Sequence, residues 1–310
     1  MRVAFAGTPE PALPSLRALL ESDHEVVAVI SRPDAPSGRG RRLAPSPVAQ
    51  FAIDNGLELL RPQSPTDPDF LARLRQLAPD ACPIVAYGAL VPAQTRSIPR
   101  IGWINLHFSL LPAWRGAAPV QHAIWHGDQI TGASTFLLDQ GLDTGPVFGV
   151  VTQQIGPRDT AGSLLAELAD AGAQLLVKTL DGIERNELMP AVQPTDDVSL
   201  APKITVEMAR IDWSLPASAI DRMVRACTPA PGAWCEVNAA RLKLAPLVPM
   251  TESEDPALRP GELAVSKRSV LVGTSTGAVE LSMVQPQGRA MMTAGDWARG
   301  ARVESGAFLS

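Results

Sequence analysis

The feature that most constrains the fold of this chain is the alternation of short apolar strands with amphipathic helices over its first half. The segments EVVAVI (Glu25–Ile30) and ACPIVAYG (Ala81–Gly88) are almost continuously apolar, which is typical of strands buried on both faces. Helical patterns separate the predicted strands, and Ser46 followed by Pro47 marks one helix start as an N-cap with a first-turn proline. This order predicts an α/β fold with a Rossmann-like, mostly parallel sheet covered by helices.

The pattern changes after ELMPAVQPTDDVSLAPK, a proline-containing stretch without periodicity. Beyond it, one short helix in SLPASAIDRMVRAC precedes brief alternating strands such as AWCEV and SVLVGTSTGAVELSMVQP. Short strands broken by turns predict a small β-barrel of the OB type. We therefore predict an N-terminal α/β domain over residues 1–188, a linker over 189–204 and a C-terminal OB-like domain over 205–310.

The composition is that of an ordinary globular protein, with 45% hydrophobic and 19% charged residues. No apolar run approaches the roughly 18 residues that a membrane-spanning helix needs, and MRVAFAGTPE lacks the pattern of a secretory signal. Cys82, Cys227 and Cys235 cannot all pair and none lies in a CxxC motif, so we expect buried thiols rather than disulfides or a zinc site. These features predict a cytoplasmic protein.

Several familiar motifs are missing or incomplete. The first turn, FAGTPEPALP, has no GxGxxG, and the chain has no P-loop and no GxSxG, so neither a nicotinamide cofactor nor a protein nucleophile is indicated. One substrate would then attack the other directly. His122 and His126 have the spacing of a metal-binding pair, but HEXXH would need glutamate at Ala123, so we expect no metal site. His24 is expected at the surface, just before a strand.

The segment SRPDAPSGRGRR carries four arginines and one aspartate in a chain whose net charge is -5. Its glycine, proline and serine content predicts an irregular, mobile loop between Arg32 and Arg42. Two interpretations are open: a solvated loop whose arginines confer solubility, or a basic arm that contacts phosphates.

The stretch INLHF places two polar side chains on one predicted strand. Because side chains alternate between the faces of a strand, Asn105 and His107 share one face. Ligands of open α/β sheets bind beyond the carboxyl ends of the strands, and Asp143 lies in the turn QGLDTG after the next strand, so we expect the three near one edge. An amide can stabilise an oxyanion, an imidazole can transfer a proton and a carboxylate can orient the imidazole. The residues alone leave a functional site and satisfied core polar groups as alternatives.

Asn105 and His107 stand in a wider set of motifs with SLLP (Ser109–Pro112), WRGAAP (Trp114–Pro119) and LDTG (Leu142–Gly145). Together these motifs resemble the signature of the folate-dependent formyltransferases. GTPE, RPDAPSGRGRRLAPSPV, VAYG, PKITVEMARIDWS and IDRMVRACTPAPGAW extend the resemblance over essentially the whole chain, to the members of the family that act on an aminoacylated tRNA.

The resemblance implies transfer of the formyl group of 10-formyltetrahydrofolate to the α-amine of methionine esterified to initiator tRNA, which makes formylmethionyl-tRNA for translation initiation. The N-terminal domain would be the formyltransferase catalytic domain, and the C-terminal OB-like domain would bind tRNA. The implied partners are initiator Met-tRNA and the folate co-substrate. Neither a metal, a covalent intermediate nor a membrane is implied, and we expect a monomer.

The resemblance also implies roles for particular positions. Asn105 would polarise the formyl oxygen, His107 would stabilise the oxyanion or shuttle its proton, and Asp143 would hold His107 and help to deprotonate the amine. The SLLP segment would cradle the folate, with backbone around residues 86–90 and 139–143 reading the pterin edge. The expected folate contacts are Ala86, Tyr87, Gly88, Leu90, Ser109, Leu110, Leu111, Pro112 and Asp139. The arginine-rich segment would enter the acceptor stem, and its expected tRNA contacts are Arg39, Arg41 and Arg42.

Two other functions remain as alternatives. A formyltransferase acting on an amino sugar nucleotide would use the same Asn105, His107 and Asp143 but would not need the arginine-rich segment or the barrel. An RNA-binding module with a degenerate pocket would lose no activity on Asn105→Ala or His107→Ala, and the intact set of three residues argues against it.

Overall fold

The computed structural model describes residues 1–37, 42–250 and 257–310. Packing divides the chain into two compact units whose segments alternate along the sequence. The first unit comprises Met1–Gly116, Ile130–Gln154 and Leu165–Leu200, and the second comprises Ala117–Gln129, Ile155–Leu164 and Ala201–Ser310. The domain boundaries predicted above, 1–188, 189–204 and 205–310, stay a prediction.

The regular elements up to residue 201 follow one another in the predicted alternation. The strands are β1 (Arg2–Gly7), β2 (Glu25–Ile30), β3 (Ala35–Ser37), β4 (Arg42–Ala44), β5 (Leu59–Leu60), β6 (Ala81–Val85), β7 (Gly102–His107), β8 (Arg115–Gly116), β9 (Ile130–Leu137), β10 (Val147–Gln154) and β11 (Leu200–Ala201). The helices are α1 (Leu13–Leu20), α2 (Pro47–Asp54), α3 (Pro68–Leu77), α4 (Ala93–Arg96), α5 (Pro119–His126) and α6 (Ala161–Glu184).

The first unit is built on a seven-stranded sheet in the order β10-β9-β7-β6-β1-β2-β5. The pairs from β7 to β5 are parallel, whereas β9 and β10 run antiparallel at one edge. The predicted Rossmann-like, mostly parallel sheet is therefore confirmed. Reversal of β9 places its last residue, Leu137, opposite Ile104 rather than beside the carboxyl end of β7.

Local chemistry explains where the helices begin. The hydroxyl of Ser46 accepts a hydrogen bond from the Ala49 N–H at 3.0 Å, and Pro47 occupies the first turn of α2, as predicted. Asp67 caps α3 in the same way, by accepting from the N–H of Asp69 at 3.0 Å.

The core side chains of β1 are fully buried, and each buried leucine or valine contributes about 2 kcal/mol to the free energy of unfolding.

Two sequence predictions in the first unit are wrong. His24 is buried rather than exposed, because its ring lies beside Asp181 and Glu184 near the end of α6. The arginine-rich segment is not wholly irregular, because β3 and β4 pair antiparallel with Pro36 opposite Leu43. Such a ribbon uses backbone groups, so proline and glycine nearby do not prevent it.

The second unit contains a small antiparallel β domain, which confirms that part of the predicted fold. Its strands form two four-stranded sheets, β12-β13-β18-β19 and β14-β17-β16-β15. The strands are β12 (Trp234–Val237), β13 (Ala240–Leu244), β14 (Val248–Pro249), β15 (Leu263–Val265), β16 (Val270–Thr274), β17 (Gly277–Glu280), β18 (Met283–Pro286) and β19 (Met292–Thr293). The helices are α7 (Ala217–Ala226), which was predicted, and α8 (Ala294–Ala301), which was not.

The core of the second unit is rich in tryptophan, with Trp213, Trp234 and Trp297 all buried. The three cysteines of the chain are free and buried, as predicted. Burial raises the pKa of Cys227 to about 11 and that of Cys235 to about 12, so both are unreactive thiols at neutral pH. Within the described ranges, no helix combines the length and the apolar character needed to cross a membrane.

Candidate active site

Strand β7 presents Asn105 and His107 on one face, as the alternation of side chains predicted. Asn105 lies opposite Phe136 of the neighbouring strand, and His107 lies opposite Ser134. The ring of His107 meets that of Phe136 edge to face, with 6.4 Å between the ring centres. His107 is buried whereas Asn105 is half-buried. The face of β7 therefore offers a partly accessible amide beside a buried imidazole.

The hydrogen bonds of His107 decide its protonation. Nε2 lies 2.9 Å from the carbonyl oxygen of Trp114, and a carbonyl can only accept, so Nε2 carries the hydrogen. Burial lowers the pKa of His107 from its ordinary value of 6.5, while the charge of Asp143 acts in the opposite direction. The ring is consequently neutral at neutral pH, with the lone pair on Nδ1. That atom can take up a proton.

Asp143 meets the free nitrogen of this ring. Its Oδ2 lies 3.7 Å from Nδ1 of His107 and accepts a hydrogen bond from the N–H of Gly116 at 2.8 Å. Because β9 runs antiparallel, the turn after it starts beside the middle of β7 and must double back to reach His107. Asp143 adopts a left-handed backbone conformation with φ of 52° in this turn. The proximity predicted from the sequence is observed, and the catalytic roles stay a prediction.

Gly145 allows the turn to lie this close to the sheet. A Cβ atom at this position would lie 1.7 Å from the carbonyl oxygen of Leu137 and 3.2 Å from the ring of Phe136. No side chain fits so near a backbone oxygen, so only glycine is compatible with the observed path. Close packing against Leu137 and Phe136 therefore explains why the LDTG motif ends in glycine.

Asp139 stabilises the same turn from its other end. Its Oδ1 accepts hydrogen bonds from the N–H of Gly141 at 2.9 Å and from the hydroxyl of Thr144 at 2.7 Å, and its carbonyl accepts from Arg96. The residue is exposed. Its carboxylate thus shapes the turn, and any contact of the turn with a ligand would come from the backbone around it.

The SLLP segment is tied to β9 by its polar groups. Ser109 is buried, and its hydroxyl donates to the carbonyl of Ala113 at 2.6 Å. The hydroxyl of Ser134 donates to the carbonyl of Ser109 at 2.6 Å and accepts from the N–H of Leu111 at 3.1 Å. Leu110, Leu111 and Pro112 are half-buried, with a cis peptide bond before the proline. The apolar side chains of this segment therefore remain partly available to a ligand.

The loop after β6 exposes backbone rather than polar side chains. Ala86 and Gly88 are exposed and have φ values of 46° and 82°, while Tyr87 between them is buried. The carbonyl of Tyr87 accepts from the hydroxyl of Thr8 at 2.8 Å. Leu90 is 88% exposed. Of the contacts predicted in this loop, Ala86 and Gly88 thus offer accessible backbone, and Leu90 offers an exposed apolar side chain.

The predicted tRNA contacts are described only in part. Arg39 and Arg41 lie outside the described residues. Arg42 opens β4, where its backbone pairs with Ser37. The assignment of these arginines therefore stays a prediction.

The structure adds one residue that the sequence did not indicate. Gln193, in the segment predicted to be a linker, donates from Nε2 to the carbonyls of Asp143 at 2.8 Å and Gly145 at 2.7 Å. No motif marks this glutamine, because it stands between prolines in a stretch without periodicity. Only the tertiary contact reveals that it touches the turn that carries Asp143.

Comparison with known proteins gives the family. The model named Formyl transferase matches residues 1–180, and the model named Formyl transferase, C-terminal domain, matches residues 203–302. The chain is 60% identical over 306 residues to a protein of Thermobifida fusca named methionyl-tRNA formyltransferase, which covers 99% of this chain and 98% of that protein.

Solved structures share the fold. HypX from Aquifex aeolicus in complex with tetrahydrofolic acid superimposes with a TM-score of 0.68 at 20% identity, covering 96% of this chain and 47% of that one. An N-formyltransferase from Helicobacter canadensis, in complex with folinic acid and dTDP-3-aminofucose, gives 0.69 at 17% identity, covering 92% and 98%. The two family matches and the identity over nearly the full length show that the chain belongs to the formyl transferase family.

Proposed function

We propose that this protein transfers the formyl group of 10-formyltetrahydrofolate to the α-amine of methionine on initiator tRNA, giving N-formylmethionyl-tRNA for translation initiation. The observation that carries the proposal is the 60% identity, across 99% of the chain, to a methionyl-tRNA formyltransferase. The model named Formyl transferase, C-terminal domain, also matches residues 203–302, and we assign the additional surface for tRNA to that region.

The site has the groups that formyl transfer to an amine requires. Only a neutral amine attacks a carbonyl, so a base must receive its proton as the new C–N bond forms. Nδ1 of His107 is that base, because Nε2 is committed to the carbonyl of Trp114. Asp143, 3.7 Å away, stabilises the imidazolium that results. The proton then passes to the nitrogen that leaves as the bond from folate to the formyl carbon breaks.

Asn105 acts on the oxygen of the formyl group. Its amide is neutral and shares the face of β7 with His107, so it can donate to the oxygen as negative charge develops there. A preformed donor of this kind favours the transition state over the ground state. Bond making and bond breaking thus take place between the two substrates, and the protein supplies orientation, one donor and one base.

The described residues fit the folate co-substrate, which supplies the formyl group. Exposed backbone at Ala86 and Gly88 offers hydrogen-bonding groups to a flat heterocycle. Leu90 is 88% exposed, and its apolar side chain beside this accessible backbone is suited to the apolar part of a ligand. We assign folate binding to this loop, to Ser109–Pro112 and to the backbone of residues 139–143.

The remaining assignments follow the same proposal. Residues 1–188 act as the catalytic domain, 189–204 as the connection and 205–310 as the tRNA-binding domain. Arg39, Arg41 and Arg42 contact the acceptor stem through phosphates, because basic side chains that neutralise phosphates release the counterions of the RNA. The protein acts in the cytoplasm as a monomer.

The test is a formyl-transfer assay with purified protein, 10-formyltetrahydrofolate and radiolabelled Met-tRNA. Initiator Met-tRNA, elongator Met-tRNA and a dTDP-linked amino sugar are offered as separate acceptors. We expect rapid transfer to initiator Met-tRNA alone. Transfer to the amino sugar without transfer to Met-tRNA would replace the proposed acceptor, and absence of transfer to all three would reject the activity.

A further inference from the structure

Gln193 is nearly fully buried, at 7% exposure, and both ends of its amide are engaged. Nε2 donates to the carbonyls of Asp143 and Gly145 at 2.8 and 2.7 Å, and Oε1 accepts from Nε and Nη2 of Arg115 at 3.2 and 2.6 Å. The orientation of the amide follows from chemistry, because carbonyls only accept and a guanidinium only donates. The side chain is thus a specific bridge between two chain segments.

The bridge completes a cycle of contacts that passes through Asp143 and through the segment bonded to His107. Gln193 holds the backbone of Asp143, the carboxylate of Asp143 accepts from the N–H of Gly116, and Gly116 follows Arg115, which returns to Gln193. Trp114, whose carbonyl accepts from His107, precedes Arg115 in the chain. One glutamine therefore contacts both the turn that carries Asp143 and the Trp114–Gly116 segment, which together fix the geometry of His107 and Asp143.

The segment that carries Gln193 is itself anchored on each side. Ala191 and Val147 exchange two backbone hydrogen bonds, of 2.7 and 2.8 Å. Further along, the hydroxyl of Ser199 accepts from the N–H of Trp114 at 2.9 Å, and its carbonyl accepts from the N–H of Arg115 at 2.9 Å. These contacts place Gln193 over the turn, independently of its own side chain.

We propose that Gln193 is a positioning residue for formyl transfer, which holds Asp143 and the Trp114–Gly116 segment at the spacing that His107 requires. This inference rests on the proposed function. Asp143 has a left-handed backbone, which is uncommon for a residue other than glycine and persists where its surroundings fix it. Gln193 supplies that restraint, and a displacement of about 1 Å in such a site lowers the rate by about 100-fold.

The competing explanation is that Gln193 is a satisfied buried polar group that only stabilises the fold. A double-mutant cycle separates the two, using Gln193→Met in the wild type and in an Asp143→Asn background. Gln193→Met retains the length of the side chain and removes all its hydrogen bonds. Gln193→Glu is the second variant, because it can still accept from Arg115 but turns a carboxylate oxygen towards two carbonyls. Gln153→Met is the matched control, since among the described residues the side chain of Gln153 hydrogen-bonds to Glu167 alone, on the surface of the same unit.

We expect Gln193→Met to lower kcat by about 100-fold in the wild type and by less than about threefold once Asp143 has lost its charge. The control should retain its rate. NMR titration of isotope-labelled histidine, assigned with His107→Gln, gives a reading that needs no substrate. As Asp143 moves away, the pKa of His107 should fall below its wild-type value, since the carboxylate raises it.

A wild-type kcat in Gln193→Met would overturn the proposal, as would equal losses in both backgrounds with the pKa of His107 unchanged. Loss of folding in both Gln193→Met and Gln193→Glu, seen by circular dichroism, would assign the residue to stability and also reject it. If the wild type fails to formylate Met-tRNA, the proposed function fails, whereas the shift of the His107 pKa still decides the positioning role.

Discussion

Nδ1 of His107 lies 3.7 Å from Oδ2 of Asp143, which is beyond hydrogen-bond distance but close enough for a strong interaction between charges. The attraction between the ring and the carboxylate is therefore strongest when the ring takes up a proton and becomes positively charged. An arrangement that stabilises the protonated ring only during reaction favours the transition state, which is what catalysis requires.

Replacement of Asp143 by asparagine should separate charge from geometry. Asparagine can still accept the hydrogen bond from Gly116 but carries no charge to stabilise a protonated His107. We expect kcat to fall by about 100-fold or more, with binding of 10-formyltetrahydrofolate retained. Single-turnover kinetics and equilibrium folate binding measure the two quantities. A variant with wild-type kcat would exclude a role for the carboxylate.

Asn105→Ala should remove a donor to the formyl oxygen. Loss of one such donor lowers kcat by about 100-fold to 1,000-fold. Asn105→Asp should be at least as slow, because it turns a negative charge towards developing negative charge. The affinity for Met-tRNA should be unchanged in both. If the aspartate variant kept the wild-type rate, the amide could not be the donor.

Gly145→Ala should destabilise the first unit, because its Cβ would lie 1.7 Å from the carbonyl oxygen of Leu137. We expect a loss of about 2 kcal/mol or more in the free energy of unfolding, measured with urea, together with reduced activity. Gly300→Ala is the control, since nothing lies within 4 Å of a Cβ in that helical position. It should be neutral or stabilising by up to about 1 kcal/mol. Equal stability of the two variants would contradict the packing argument.

Stability should decrease as the pH falls below the ordinary histidine pKa of 6.5. Burial lowers the pKa of His24, His107 and His122 in the folded state, so the unfolded chain binds protons that the folded chain does not. The free energy of unfolding should therefore be largest above about pH 7 and fall towards pH 5. Urea titrations across this range test it, with His24→Gln expected to reduce the slope. A flat or rising profile on acidification would be the contrary result.

Arg42→Ala should weaken the use of Met-tRNA while folate binding is preserved. We expect a higher KM for Met-tRNA and a salt dependence of log KM that is shallower by about one charge. Arg73→Ala is a matched loss of charge, because Arg73 pairs with Glu58 on the surface. Equal weakening of folate and Met-tRNA binding would reject a tRNA-contact role for Arg42.

The sequence predicted the architecture where local chemistry and burial agree. The apolar run Glu25–Ile30 became β2 with those bounds, and Ser46 with Pro47 begins α2. The helix α8 was missed because its eight residues, AGDWARGA, contain two glycines and make little more than two turns, although its buried residues Ala294, Trp297 and Ala298 have helical spacing. His24 was misplaced because exposure depends on which distant helix packs over a residue, and that is not a local property.

The sequence by itself determined that Asn105 and His107 share a face, because the period of a strand is a local rule. It also determined the family, through motifs spread over nearly the whole chain. Only the tertiary structure decided that β9 runs antiparallel and that the turn after it doubles back to bring Asp143 to His107. Gln193 likewise gained its contacts from residues 48 to 78 positions away in the chain. Contacts of that kind depend on how elements pack across the whole unit, which no local pattern of residues encodes.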